Sequence, residues 1–572
     1  MKPLAGIAVV LMGAFAVVPS GGAARASATR RPHHHARHHR RHRKHPHQRV
    51  WYVRADAAAG GTGSHRAPFN QLAQVQLRSR PGDEIVVLPS PQPLDGGVAL
   101  KPRQTLLGAG PPVIGSRSGS PPRIENTLGG SHSGDAVELA DGDTVENLVI
   151  GPAVRGGIYG SGVNSATIIG NDVSGTNTSC TTGFVVQPFK LPTLVPGVAV
   201  PFSSGLPNGW AGIMIDEPSA TATLQIAGNH VHDTGCADGI DVRASGTAKV
   251  RALVTGNVLS RLHEGASQQS VLAIGMQTTG TATVDARVSD NTETYIGNGL
   301  IGDIGFADSE GLFANSAGRS RLTEHVDANT FDHGLGHLSA NCFEVVSSSG
   351  GPTMDVTLKD SSCDHVVGDI LEAVNLSQDA TMNFAVDHVR AQHSEFLAGP
   401  LFHQVEPGDD GDCLFELGAG AASRTSVTVT HSLLSGCVTD GFEAAATVDD
   451  GSGPVAKLSF DIRDSRITGN TLSNLRVANS SPVTQLDGRV EHTDLSETPG
   501  TPIIMEDLDT TGGTRARLDF GGGALGSTGG NCIFGGGLLD VEDVRDGASA
   551  RGDWWGRPGG PGPGRILALG AA

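Results

Sequence analysis

Gly239-Ile240-Asp241-Val242, Cys342-Phe343-Glu344-Val345, Ile370-Leu371-Glu372-Ala373, Leu414-Phe415-Glu416-Leu417 and Gly441-Phe442-Glu443-Ala444 are versions of one short pattern, an acid flanked by two apolar residues. Extended backbone sends successive side chains to opposite faces, so the pattern predicts an apolar pair turned inward and a carboxylate turned outward. The slot returns without its acid at Gly212-Ile213-Met214-Ile215, Asn474-Leu475-Arg476-Val477 and Pro502-Ile503-Ile504-Met505, which marks one structural unit repeated along the chain. A second slot accompanies it, at Gly170-Asn171, Gly228-Asn229, Gly256-Asn257, Asp290-Asn291, Ala328-Asn329, Asp360-Ser361 and Asp464-Ser465. Its intervals of 28, 34, 38 and 32 residues from Asn229 to Ser361 fit coils whose strands keep their length while their loops vary. An Asn at a fixed turn can bond its counterpart on the next coil, so this series predicts a structural ladder rather than catalysis.

Composition agrees with a stack of short strands. The chain has 572 residues, beyond the size at which one ordinary globular core stops growing, so the repeat predicts an elongated solenoid over residues 50–572. Gly is frequent, at 80 residues, and turn-forming Asn, Asp, Ser and Gly interrupt apolar stretches too short for average helices.

The start of the chain reads differently. Met1-Lys2, an apolar run from Leu4 to Val18 and Ala26-Ser27-Ala28 have the layout of a secretory signal, so residues 1–28 predict export. Residues 29–49 hold eight Lys or Arg and eight His without an acid, which predicts a disordered His/Arg-rich arm. Attachment to an anionic wall polymer or membrane surface, and metal capture by its histidines, are further readings of that arm. The first 50 residues carry ten of the 41 Lys and Arg and none of the 59 acids, leaving 31 minus 59, or −28, on the body. That sign disfavours nucleic acid as a partner of the body, and none is expected. No later segment approaches the run of about 20 apolar residues that a transmembrane helix needs, so a secreted or surface-associated monomer is expected.

Seven cysteines in an exported chain predict disulfides. Cys342 with Cys363, and Cys413 with Cys437, lie about one repeat apart, which places them on neighbouring coils within bonding reach. Cys180 with Cys236 is a third pairing that leaves Cys532 single.

Three regions resemble the right-handed parallel β-helix proteins of the pectate-lyase-like superfamily: the opening Trp51-Tyr52-Val53-Arg54-Ala55-Asp56 with Gly60-Gly61-Thr62-Gly63, Ala67-Pro68-Phe69 and Gly82-Asp83-Glu84-Ile85-Val86-Val87; the repeats; and the closing Gly552-Asp553-Trp554-Trp555-Gly556-Arg557-Pro558. The resemblance implies an all-β, right-handed parallel β-helix solenoid. Its ends would expose apolar interior and need plugs. Pro68, Phe69, Leu72, Val75 and Leu77 before Pro81-Gly82 predict a short N-terminal capping helix, and Trp554 with Trp555 the opposite cap. The five prolines between Pro188 and Pro207 cannot run through a central strand, so residues 187–209 predict a long projecting loop. In the resembling enzymes such loops wall a binding groove, which makes Trp210 a candidate sugar platform.

Neighbouring strands of a parallel sheet lie about 4.8 Å apart, so outward residues form columns. The predicted column runs Tyr159, Met214, Asp241, Ile301, Glu344, Glu372, Glu416, Glu443, Arg476. Adjacent carboxylates repel unless something relieves them. A solvated acidic stripe, paired catalytic carboxylates and bound calcium all answer that tension, the last implied by the pectate-lyase resemblance at Glu344 and Glu372. Cys236-Ala237-Asp238-Gly239-Ile240-Asp241 is similar to the N-T-D-G-I-D stretch of polygalacturonases, which implies Asp238 and Asp241 as hydrolytic acids. Here Gly336-His337 follows about 100 residues later, outside that family's spacing, and Asp440-Gly441-Phe442-Glu443 repeats the pattern within the chain. Catalysis therefore points to Asp238, Asp241, Glu344 and Glu372. A lyase would need a base, for which Arg243 and Arg476 are candidates, Arg243 also as a substrate contact. His325, His333 and His337 lie close in sequence but lack helical metal-site spacing. The expected function is binding or processing of an extracellular polysaccharide, as a lyase or glycoside hydrolase. The alternative is a non-catalytic surface or adhesive rod tethered by the basic arm.

Overall fold

Apolar residues at alternate positions of short strands can all be buried only if each strand stacks on its counterpart one coil later, and the described residues do this in three parallel sheets of 16, 15 and 12 strands. The structure is a computed structural model that describes residues 48–115, 120–185, 207–263, 271–297, 309–334, 340–395, 411–446, 455–479, 484–507, 516–537, 541–543, 548–561 and 563–568. The predicted signal, most of the arm, most of the Pro-rich loop, Ile301 and His337 lie outside these residues. Residues 48–572 form one unit.

From Glu84 to Asn479 each coil contributes one strand to each sheet in turn, the described strands after Asn479 belong to the two larger sheets, and the fold is a parallel β-helix. One coil runs Lys249–Thr255, Val258–Leu262 and Val271–Thr278, and the next begins at Thr283–Ser289, paired in register with the first (Val250↔Val284, Val254↔Val288). Stacked interior columns such as Ile158, Ile213, Ile240 and Ile274 are buried throughout. Each such side chain contributes roughly 1.5–3 kcal/mol of transfer free energy. Among the described residues no helix is long and apolar enough to cross a membrane.

The Asn series is a ladder. Asn229 Oδ1 accepts from the backbone N–H and the amide of Asn171, at 3.0 and 3.0 Å, and Asn257 does the same for Asn229, at 2.9 and 3.0 Å. It continues through Asn291 and Asn329, whose N–H donates to Ser361 Oγ at 3.1 Å. The Asn side chains thus satisfy a buried turn that no strand pairing serves.

At the opening end Asp83 accepts from Trp51 Nε1 at 2.8 Å and from the N–H groups of Arg49 and Arg80, pinning the first coil. The helix spans Leu72–Arg78 and buries Leu72 and Val75. It starts later than Pro68 suggests, and Leu77 faces outward at 80% exposure, because so short a helix has only one face to bury. At the closing end Trp555 is buried in the core, while Trp554 stays 45% exposed. Disulfides join Cys180 to Cys236, Cys342 to Cys363 and Cys413 to Cys437, and Cys532 is free.

Two expectations about the acidic column are corrected by the register. Between Asp241 and Glu344 stand Gly275 and Phe313, not Ile301, so two coils intervene. Glu416 is not in the outer column: Glu372 aligns with Phe415, which faces out, and Glu416 aligns with Ala373 and points into the coil. Leu414-Phe415-Glu416-Leu417 has apolar residues on both sides of every alternation, so the pattern could not say which parity faced inward, and small Ala373 and Ala444 on the flanking coils leave space for the glutamate.

Candidate functional site

The outer face of the 15-stranded sheet gathers the acids. Its column reads Tyr159, Met214, Asp241, Gly275, Phe313, Glu344, Glu372, Phe415, Glu443, Arg476. Among the described residues three separate groups of carboxyls lie along it.

The first surrounds Asp238 and Asp241. Gly239 lets the chain turn tightly into the strand Ile240–Ala244, since a Cβ there would meet Leu259 at 2.3 Å and the Ala273 carbonyl at 2.5 Å. This close turn brings Asp238, just before the strand, beside Asp241 within it. Both carboxyls are fully buried. Asp238 accepts from the Leu272 N–H at 3.0 Å, and the Asn208 amide donates to Asp238 Oδ2 and to Asp241 Oδ2, the latter at 3.3 Å. Burial, only partly offset by these donors, raises Asp238 to about 7, and burial together with the Asp238 charge drives Asp241 well above the carboxylate range. Two such groups cannot both ionise, so the pair holds a proton near neutrality. Asp241 Oδ1 makes no hydrogen bond and lies where a Cβ on Gly275 would approach to 2.5 Å.

Asn208 lies in Pro207–Gly209, which pairs antiparallel with Thr182–Val185 at the base of the Pro-rich excursion. The adjoining Trp210 packs against Tyr159, with ring centroids 5.2 Å apart, and the Arg155 guanidinium sits 4.1 Å over the indole. Arg155 is itself held in a fork by buried Asp135, at 3.0 and 2.5 Å. Tyr159 shares the column of Asp241, separated by Met214 alone, so an aromatic pair and a buried carboxyl pair lie along one face. Arg243 stands one position outside this centre, its Nε 4.0 Å from Asp216.

The second group is Glu344 and Glu372, directly opposite each other on neighbouring strands and bracketed by Phe313 and Phe415. Asn341 donates to Glu372 Oε2 at 2.6 Å. Three strand spacings separate Glu344 from Asp241, roughly 14 Å, so the four acids named from sequence form two centres rather than one. For calcium, this pair gathers two carboxylates among the described residues, short of the six to eight oxygens that ion takes, and no step is assigned to it.

The third group was not read as a site from sequence. Asp412, Asp440 and Glu443 are buried with carboxylate oxygens within 4.8 Å of one another. Asp412 accepts from Thr439 Oγ1 at 2.5 Å and the Asp440 N–H at 2.8 Å, and Ser473 donates to Asp440 at 2.5 Å. Arg476 Nη1 lies 3.3 Å from Glu443 and 3.8 Å from Asp440, and its Nη2 lies 3.0 Å from Glu506. Burial raises Asp440 to about 6, with Ser473 and Arg476 opposing, and lifts Asp412 well above its usual range, reinforced by Asp369, Glu443 and Asp440. The guanidinium is thus a built-in counter-ion. The repeat of Asp-Gly-apolar-acid at 238–241 and 440–443 was the available signal, but Asp412 and Asn208 carry no motif.

No family model matches the chain, and no curated protein matches it. Among solved structures it is similar to the catalytic unit of a thermostable GH87 alpha-1,3-glucanase from Streptomyces thermodiastaticus, at 13% identity and a TM-score of 0.38, covering 84% of this chain and 68% of that one. It is also similar to a mutant of the periplasmic alginate epimerase AlgG, at 9% identity and a TM-score of 0.31, covering 78% and 82%. A third is DFA-IIIase from Arthrobacter chlorophenolicus, at 12% identity and a TM-score of 0.24, covering 77% and 94%.

Proposed function

We propose that the protein is an extracellular polysaccharide-processing enzyme of the glycoside-hydrolase type, with Asp238 and Asp241 as its acid and base. The observation that carries this reading is the pair of fully buried carboxyls joined by the Asn208 amide, on the same face as the Tyr159–Trp210 aromatic pair. In this reading the protonated carboxyl passes its proton to the glycosidic oxygen as the bond from the anomeric carbon breaks toward that oxygen. The ionised carboxyl then takes the proton of the attacking water. Asn208 orients both groups, and Trp210 and Tyr159 stack a neighbouring sugar ring. A body of charge −28 with an acid-lined face repels polyuronates, which favours a neutral hexose polymer as substrate over the uronide that a lyase would require.

The test is reducing-end release across a panel of neutral and uronic glycans, alongside unsaturated-uronide absorbance. Activity on a neutral polymer that disappears in Asp238→Asn and Asp241→Asn supports the proposal. A silent panel, or full activity in Asp241→Asn, rejects it.

The full burial of both carboxyls favours a second reading, a non-catalytic rod in which the pair pins the base of the excursion and residues 29–49 act as a tether. Deleting 29–49 should then release the protein from the cell surface with its melting temperature unchanged. Unaltered retention would reject the tether.

A further inference from the structure

Tyr295, His333, His365 and His393 occupy one position in four consecutive strands of the 12-stranded sheet, all with left-handed backbone (φ 56, 62, 54 and 57°). Their rings stack at centroid distances of 5.1, 5.1 and 5.2 Å. The same turn on other coils holds Arg261, Gly436 and Gly469, also at positive φ. Glycine satisfies that backbone with least strain, so three histidines there answer a need of side-chain chemistry rather than of the turn.

Two carboxylates reach into the stack. Asp332 Oδ1 lies 2.9 Å from His333 Nδ1 and 3.4 Å from His365 Nδ1, while Asp364 Oδ1 lies 3.1 Å from His365 Nδ1 and 2.7 Å from His393 Nδ1. These donors form two sets that share His365, each with its atoms inside 4.8 Å. Asp332 Oδ1, His333 Nδ1 and His365 Nδ1 are shielded from solvent yet make no hydrogen bond. In the second set His393 Nδ1 and Asp364 Oδ1 hydrogen-bond each other at 2.7 Å, and the other two His–Asp clusters among the described residues are bonded within themselves. Asp387 accepts from His388, His431 and Thr430 at 2.9, 3.0 and 2.9 Å, and His232 is bonded to Asp172 and Asp233 at 2.7 and 2.5 Å.

We propose that His333, His365 and His393, with Asp332 and Asp364, bind a divalent transition-metal ion. Imidazole with carboxylate suits zinc, copper, nickel or cobalt, whereas calcium and magnesium prefer oxygen alone. Metal–donor bonds of about 2.0–2.2 Å bring donors to within roughly 4 Å of one another, which a small rotation of the imidazoles achieves. Because both sets use His365 Nδ1, the ladder takes one ion at a time.

The experiment is a zinc chloride titration of the full exported chain by calorimetry, wild type against His365→Phe, which keeps the ring stack and removes the shared ligand. The eight histidines of residues 29–49 contribute equally to both proteins, so the difference isolates the ladder. His365→Phe should lose about one equivalent of zinc, and the zinc-induced rise in melting temperature should shrink, since the ladder exists only in the folded chain. If circular dichroism shows His365→Phe misfolded, His365→Asn, which also removes the shared imidazole and tolerates the left-handed backbone, takes its place, with the same loss of about one equivalent of zinc expected. Equal zinc stoichiometry, affinity and thermal shift in wild type and a folded variant would overturn the proposal.

Discussion

Asp238-Gly239-Ile240-Asp241 and Asp440-Gly441-Phe442-Glu443 have the same pattern and take the same corner of their coils, yet they keep buried acids in opposite ways. At the first, Asn208 supplies a neutral amide and the charge is relieved by a retained proton. At the second, Arg476 supplies a positive charge to Asp440 and Glu443. The difference arises one coil away: Met214 and Gly275 flank Asp241 in its column, whereas Arg476 follows Glu443. A proton-holding pair can do acid–base chemistry, and an ion-paired group mainly fixes structure.

The sharpest way to break this contrast is neutralisation. Asp238→Asn and Asp241→Asn should each lower turnover on the responding glycan by about 100- to 10,000-fold while circular dichroism stays unchanged. Glu443→Gln should leave turnover within about tenfold, and an equal collapse would erase the distinction.

The counter-ion comes next. Arg476→Met leaves Asp440, Glu443 and Glu506 without their cation and should cost about 3–5 kcal/mol in denaturant unfolding. A loss below about 1 kcal/mol would mean that the acids there are relieved by protons after all.

The interior glutamates extend the comparison to acids with no relief but protonation. Glu293, between Leu259 and Phe331, and Glu324, between Ala286 and Val356, are each raised to about 8 by burial, and the same cause holds Glu416 well above its ordinary value. A folded value above the unfolded one gives stability that is complete below about pH 4.5 and lost as pH rises through about 8. The wild type should therefore weaken from pH 5 to pH 9, and Glu293→Gln or Glu324→Gln should flatten that slope with little change at pH 5. An unchanged slope in urea midpoints would count against buried neutral acids.

The smallest effect is expected at the ladder. Asn257→Ala unpairs the Asn229 N–H and should cost about 1–3 kcal/mol, while Asn257→Ser should cost less, since Ser361 already serves Asn329 in the same column.

Much of this architecture is legible in residue order. The Ile240, Ile274 and Ile213 columns follow from local alternation, and the Asn ladder from a turn residue that recurs at each coil. Asp238 and Asp241 were visible as a pair because they are three residues apart. Asn208, 30 residues before Asp238, was not, since nothing local marks it as a partner. The same applies to His333, which stacks on His365 of the next coil, itself stacked on His393, rather than meeting the nearby His325, which bonds Thr357 on another sheet.

By itself, then, the sequence determined that the strands would be short, stacked and apolar on one side, because side-chain alternation and turn chemistry act over a few residues. Only the tertiary structure decided which coils are neighbours, that Phe415 rather than Glu416 faces outward, and which acid meets an amide, an arginine or a histidine. Loops of unequal length separate successive coils, so side chains that touch are tens of residues apart, and the charge state of each acid is set by that contact and its burial.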